Sequence, residues 1–112
     1  MNHIEAAAEA AQQHIGGFEP ENAADLDHFL AALPQFFSSV ASAFHHVADT
    51  LADRHPVEPV VTERLREIGA TIAGMSDFSG EAHAAHRAAH ERELARIENP
   101  RPGETLWDVG NQ

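Results

Sequence analysis

The sequence predicts an all-α protein built on one long antiparallel helical hairpin. Two segments carry apolar residues at alternating spacings of three and four, a period near 3.5 that keeps one stripe of a helix against a partner helix. Between them the sequence RHPVEP contains Pro56 and Pro59, and the residue before each proline is pushed out of helical geometry. The chain has 112 residues, enough for one domain. We therefore expect the two helices to fold back on each other as a coiled coil.

The N-terminal segment, residues 1–16, is predicted to form a short helix. It is rich in alanine, with Glu5 and Glu9 near its positive end, and Gly16 and Gly17 stop it. Its apolar stripe is thin, and an isolated helix of this length is marginal in water. We expect it either to dock on the hairpin or to fray.

The two hairpin helices are predicted over residues 20–54 and 59–98. Their apolar stripes consist of Leu26, Leu30, Leu33, Phe37, Val40, Phe44, Val47 and Leu51 in the second helix, and of Val61, Leu65, Ile68, Ile72 and Met75, continued by Ser79, Ala82, His86 and Ala89, in the third. Closing the hairpin pairs stripe residues whose numbers add up to about 112, such as Phe44 with Ile68.

Small residues of the third helix are expected to receive the large rings of the second. In this register, the phenylalanines of the second helix lie beside Gly69, Ala70, Ala73 and Gly74 of the third. Packing of large side chains against small ones lets two helices approach without voids. Phe44 lies near the middle of its stripe. We therefore expect its loss to damage the protein most.

Two further predictions concern the middle of the hairpin and the C-terminal segment. Pro34 lies opposite Gly80 in this register, which predicts matched kinks near these residues or a break over 76–80. Residues 99–112, which contain Trp107, are predicted to form an irregular tail. The indole either packs on the hairpin as a strap or is offered to a partner.

Charge and cysteine content limit the partners and the compartment. The net charge is -11, and eight carboxylates precede the first arginine, Arg54. Such a field repels phosphate and anionic lipid, so we expect no direct nucleic-acid or membrane-surface binding, whereas a basic protein partner is accommodated. The chain has no cysteine, and its N-terminus contains neither a secretory signal nor a membrane span. The predicted compartment is the cytoplasm.

The chain contains nine histidines, and three of them suggest a metal site. His83, His86 and His90 lie close to one side of the third helix, and the register places Asp25 and His28 opposite them. Imidazole and carboxylate groups bind zinc and other divalent ions. The alternatives are ordinary surface histidines and a pH response, because histidine titrates near pH 6.5 in its unperturbed state.

Catalytic motifs are missing from the sequence. It contains no Gly-rich phosphate loop and no GxSxG nucleophile elbow. We therefore expect a protein that is not an enzyme and has no cofactor other than the candidate metal ion.

Three stretches carry a resemblance to known proteins: ENAADLDHFLAALPQFF, PVVTERLREIGATIAGM and HERELARIENPRPGETLWD. They resemble small uncharacterised helical proteins of actinobacteria, in particular those of Streptomyces and its integrative and conjugative elements, over about residues 20–108. This resemblance implies a mobile-element or conjugation setting. In shape the chain is also similar to the helical-hairpin substrates of type VII secretion, but their Trp-x-Gly turn motif is replaced by RHPVEP.

The predicted function is protein–protein interaction or assembly. A two-helix hairpin buries one stripe of each helix, and Phe29, Phe36, Ala43 and Leu94 widen the apolar surface beyond these stripes. We expect self-association as a homodimer, or docking on another protein, with Phe29, Phe36, Leu94 and Trp107 as contact residues. The alternatives are a His-rich metal-binding or pH-responsive protein and an acidic mimic of nucleic acid that binds a basic protein.

Overall fold

The computed structural model describes residues 2–98, which form four α-helices. They are α1 (His3–Gly16), α2 (Ala23–Arg54), α3 (Pro59–Ala89) and α4 (Glu91–Glu98). Helices α2 and α3 pack against each other as an antiparallel hairpin, and the extended shape measures 67 × 28 × 17 Å along its principal axes. The predicted all-α hairpin with a short N-terminal helix is confirmed.

Helix α1 is well capped but isolated. The Asn2 side chain accepts a hydrogen bond from the Glu5 N–H at 2.8 Å, and the Gly17 N–H donates to the Gln13 carbonyl at the other end. Among the described residues, α1 contacts no other helix. Ile4 is accordingly 72% exposed. Of the two expected outcomes, docking on the hairpin is not observed within one chain, and fraying is not observed either, since α1 is helical from His3 to Gly16.

The hairpin helices end where local chemistry requires it. Helix α2 begins at Ala23 rather than near residue 20, because the Asn22 side chain caps it by accepting from the Asp25 N–H at 2.9 Å. It ends at Arg54, as predicted. Helix α3 starts at Pro59, a residue suited to the first turn because it has no N–H to leave unpaired.

Small and polar residues form the line of closest contact between α2 and α3, which we call the seam. They repeat every seven residues and comprise Asp27, Pro34, Ala41 and Ala48 of α2 and Thr62, Gly69, Ser76 and His83 of α3. The Ser76 hydroxyl donates to the Pro34 carbonyl at 2.9 Å, and a Cβ atom on Gly69 would lie 3.2 Å from the Ala41 carbonyl oxygen. The numbers in each pair add up to 110, close to the predicted sum of about 112, so the predicted register is correct to within about one residue in each helix.

The predicted packing of phenylalanine rings on small residues of α3 is wrong. The space left by Gly69 is occupied by the His45 imidazole, whose Nε2 would lie 2.9 Å from a Cβ at that position. Gly74 faces open space. Phe44 is half-buried beside the seam rather than in its centre. The rings lie to one side because the seam itself is too tight for them.

Of the two predicted alternatives near Pro34 and Gly80, the break over 76–80 is wrong, while the matched kinks stay a prediction. Helix α2 continues through Pro34 and α3 continues through Gly80. The break lies instead at His90, where φ is -120° and ψ is 26°, and it separates α4 from α3. This bend allows α4 to contact both hairpin helices and leaves Leu94 only 1% exposed. The predicted tail over 99–112, with Trp107, lies outside the described residues.

Candidate interaction surface

Most of the large apolar side chains of the hairpin lie on the same side of the seam, with Val60 at the start of α3 as an exception. With 3.6 residues per turn, residues four before and three after a seam residue lie roughly 50° to one side of it. For Ala41 these residues are Phe37 and Phe44, and the corresponding positions of α3 are Leu65 and Ile72. In an antiparallel pair, these two sides belong to one face of the hairpin.

We call this surface the apolar face. Its inner residues are Leu30, Phe37, Phe44, Leu51, Leu65 and Ile72, and its outer residues are Leu33, Phe36, Val40, Val47, Val61, Ile68, Met75 and Phe78. The inner residues are half-buried, whereas Ile68 is 44% and Phe78 is 65% exposed. Between residues 29–51 and 61–79, the only charged group on this side is Arg64 at its outer edge. Arg64 donates to both carboxylate oxygens of Glu67, at 3.0 and 2.7 Å, and this pairing raises the pKa of Arg64.

The opposite side of the hairpin is polar. The Ser38 hydroxyl lies 3.2 Å from the Ser76 hydroxyl, and the His45 ring covers Gly69. Nearer the turn, the Arg66 guanidinium pairs with the Asp49 carboxylate at 2.6 Å. These contacts satisfy polar groups within the chain, so the two faces of the hairpin differ sharply in chemistry.

A buried carboxylate organises the end of the hairpin that is remote from the turn, which we call the open end. Asp27 is 6% exposed, and its two oxygens accept hydrogen bonds from His83 Nε2 and from the Arg87 guanidinium, both at 2.9 Å. One turn away, the buried His86 donates through Nε2 to the Ala23 carbonyl at 3.0 Å. Because a buried polar group is costly without partners, these pairs fix the open end in one alignment.

The predicted metal ligands do not converge on one point. His83 meets Asp27 rather than the predicted Asp25, whose carboxylate instead accepts from the Glu21 N–H at 3.1 Å. Within residues 2–98, no group of three histidine or acidic residues could hold a metal ion. The predicted ligands are close together in the sequence, but their side chains are bonded to different partners.

The remaining predicted ligands are also apart. The rings of His86 and His90 lie 4.8 Å from each other, but His86 is bonded to a carbonyl and His90 Nδ1 is 3.4 Å from the Glu93 carboxylate. His28 is exposed on α2. The geometry of the described residues gives the metal hypothesis no support, while a pH response remains a prediction.

The predicted contact residues differ in how far they are exposed. Phe36 is 38% exposed on the apolar face. Phe29 is half-buried, because the Phe18 ring stacks on it with centroids 4.2 Å apart. The expectation that Leu94 widens the exposed surface is corrected, since α4 buries it against the hairpin. Trp107 lies outside the described residues.

Two features of this surface escaped the sequence reasoning. Asp27 was not singled out, although the seven-residue spacing of Asp27, Pro34, Ala41 and Ala48 marks the seam. That signal is weak because none of these residues is a large hydrophobe. The outward exposure of Met75 was also missed, since a stripe residue was expected to be buried. The sequence signal for this exposure was the width of the apolar stripe, which is greater than a single seam can bury.

The last two observations concern membranes and relatives. Within residues 2–98, no helix combines the length and the apolar character needed to cross a bilayer. Comparison of the chain with family models, with curated proteins and with solved structures finds no match.

Proposed function

We propose that the chain is a non-enzymatic assembly module that pairs with a second copy of itself through the apolar face. The observation that carries this proposal is the concentration of large apolar side chains on one side of the hairpin, where the inner ones are half-buried and most of the outer ones are exposed. Contiguous exposed apolar surfaces on soluble proteins commonly mark interaction sites. A second hairpin placed on this face completes a four-helix bundle.

The size of the face supports a dimer. Residues 29–51 of α2 extend over roughly 33 Å at 1.5 Å per residue, and two helices side by side are about 20 Å wide. The flat projection is thus about 600 Å² per copy, or about 1,200 Å² for the pair, which reaches the lower limit of stable interfaces. Interdigitating side chains enlarge this area further.

The charge distribution supports a second copy over a charged partner. The net charge is -11, but the acidic residues of the described hairpin lie on the polar side or at the ends. A basic protein would find no carboxylate on the apolar face to pair with. An apolar, charge-poor surface of the same length matches it best, and the face of a second copy is such a surface.

Sedimentation equilibrium of the full chain and two matched variants tests this proposal. We expect the parent to sediment at twice the 12.2 kDa chain mass at micromolar concentration. Ile68→Glu places a charge on the apolar face and should give a folded monomer. Ala70→Glu places the same charge on the other side of α3 and should leave the dimer intact. A parent chain that sediments as a monomer throughout this range overturns the proposal, as does an Ile68→Glu variant that dimerises like the parent.

The setting of this assembly is a separate proposal. The resemblance of three stretches to proteins of actinobacterial mobile elements supports an association with conjugation or DNA integration. A gene for a DNA translocase or integrase beside the one for this chain would support that setting, and a neighbourhood of unrelated metabolic genes would count against it.

A further inference from the structure

The apolar face is partly covered at the open end of the hairpin. The Phe18 ring stacks on Phe29, and the two ring planes are nearly parallel, at 7°. Helix α4 contacts both α2 and α3, and its Glu93 lines a shallow pocket together with Leu26 and His86. Leu26 and His86 continue the same side of the helices as the apolar face. We call α4 together with Phe18 the ledge.

The other end of the face has no such cover. Val47 and Val61, which flank the turn, are 40% and 45% exposed. Among the described residues, only α4 adds a helix contact to the hairpin, and it does so at the open end. The face is therefore closed by the ledge at one end and unobstructed at the turn.

This asymmetry restricts how two faces meet. When two hairpins pack with both turns at the same end, their ledges meet, and a helix is about 10 Å thick. Two ledges in register would hold the faces apart. With the turns at opposite ends, each ledge lies just beyond the turn of the other copy, and the uncovered parts of both faces come into contact.

We propose that the two copies pair with their turns at opposite ends, so that the turn of each copy abuts the ledge of the other. This proposal rests on the proposed self-association and adds its orientation. The uncovered face runs from about residue 30 to the turn, and its midpoint lies at the level of Phe44 and Ile68. The two-fold axis of the dimer crosses the face at this level, in keeping with the closed symmetry of most homodimers.

Distance measurements between nitroxide labels test the orientation directly. The chain has no cysteine, so a single introduced cysteine is the only attachment site. Glu58→Cys marks the turn and Ala88→Cys marks the open end, and both native side chains are exposed. Pulsed electron paramagnetic resonance is then recorded on each labelled chain and on a refolded mixture of the two.

The two orientations give opposite results. With the turns at opposite ends, we expect two Glu58→Cys labels to lie roughly 35 Å apart or more, and the mixed pair to lie within about 25 Å, from the helical rise. With the turns together, two Glu58→Cys labels lie within about 20 Å and the mixed pair beyond about 40 Å. The second result overturns the orientation but leaves the self-association standing.

A control separates the two proposals. The same labels in the Ile68→Glu variant should show no dipolar coupling, because that chain is expected to be monomeric. If the labelled parent chain also shows no coupling and sediments as a monomer, both the self-association and the orientation are wrong.

Discussion

At the scale of single residues, the hairpin depends on polar pairs more than its apolar stripes indicate. Asp27 is buried, yet its two partners reach solvent, since the side chains of His83 and Arg87 are 28% and 42% exposed. The pair formed by Asp49 and Arg66 has similar chemistry but lies on the surface. The two sites therefore differ in the burial of the carboxylate and in the number of side chains bonded to it, and the effect of this difference can be tested.

Asp27→Ala should destabilise the protein far more than Asp49→Ala. Loss of hydrogen bonds to the buried carboxylate is expected to lower the free energy of unfolding by about 2 kcal/mol, less than for a fully buried pair because both partners can turn to water. Loss of the exposed pair should cost under about 0.5 kcal/mol. Urea denaturation followed by circular dichroism measures both. Equal losses would contradict the role of burial.

Gly69 and Gly74 offer a matched pair of substitutions within α3. Alanine in a helix interior is favoured over glycine by about 0.5–1 kcal/mol, so Gly74→Ala, which faces open space, should raise stability by that amount. Gly69→Ala should lower it, because the new Cβ would lie 2.9 Å from His45 Nε2 and 3.2 Å from the Ala41 carbonyl. Thermal melts decide this. Stabilisation by both changes would show that the helices can separate at the seam without cost.

At the scale of elements, α4 has one buried side chain among its described residues. Leu94 is buried, whereas Ile97 on the same helix is 45% exposed. A helix of eight residues is not stable alone, so α4 forms because it docks. This explains why a continuous third helix was a reasonable expectation from composition, and why it failed: the bend at His90 serves a tertiary contact that helix propensity does not report.

Leu94→Ala should undock α4 and leave the hairpin folded. Removing a buried leucine side chain typically costs about 2–5 kcal/mol, more than a short terminal helix can lose. Amide hydrogen exchange is expected to show loss of protection in α4 and little change in α2 and α3. Ile97→Ala is the control and should retain protection. If α4 stays protected in Leu94→Ala, other contacts hold it.

Local sequence signals predicted some features of the hairpin correctly, and tertiary contacts determined the rest. Apolar spacing and prolines, which are local signals, predicted the two long helices. They also predicted the end of α2 at Arg54 and the approximate register of the hairpin. The seam was displaced by one residue because a small residue such as Ala41 is preferred where helix backbones approach, and no hydrophobicity pattern marks that. His83 was assigned to the correct region, but its partner Asp27 could be distinguished from Asp25 only by side-chain geometry.

At the scale of the whole molecule, net charge opposes the proposed pairing. Two copies that each carry a charge of -11 repel one another, and salt screens this repulsion. The dimer dissociation constant should therefore fall as sodium chloride is raised from about 0.01 to 1 M, over which the Debye length shortens from about 30 to 3 Å. Sedimentation equilibrium across this range measures the trend. Weaker association at high salt would mean that opposite charges hold the copies together.

The seam also favours one order in which the chain can fold. Contacts between Ser38 and Ser76 close 38 residues, whereas those between Asp27 and His83 close 56 and those between Asp27 and Arg87 close 60. Loop closure costs more entropy as the loop lengthens, so we expect the hairpin to form from the turn toward the Asp27 cluster. The uncovered part of the apolar face is then complete before α4 has a surface to dock on. In the proposed dimer, we therefore expect a second chain to begin pairing with a partly folded one, so that the ledge would form around a partner already in place.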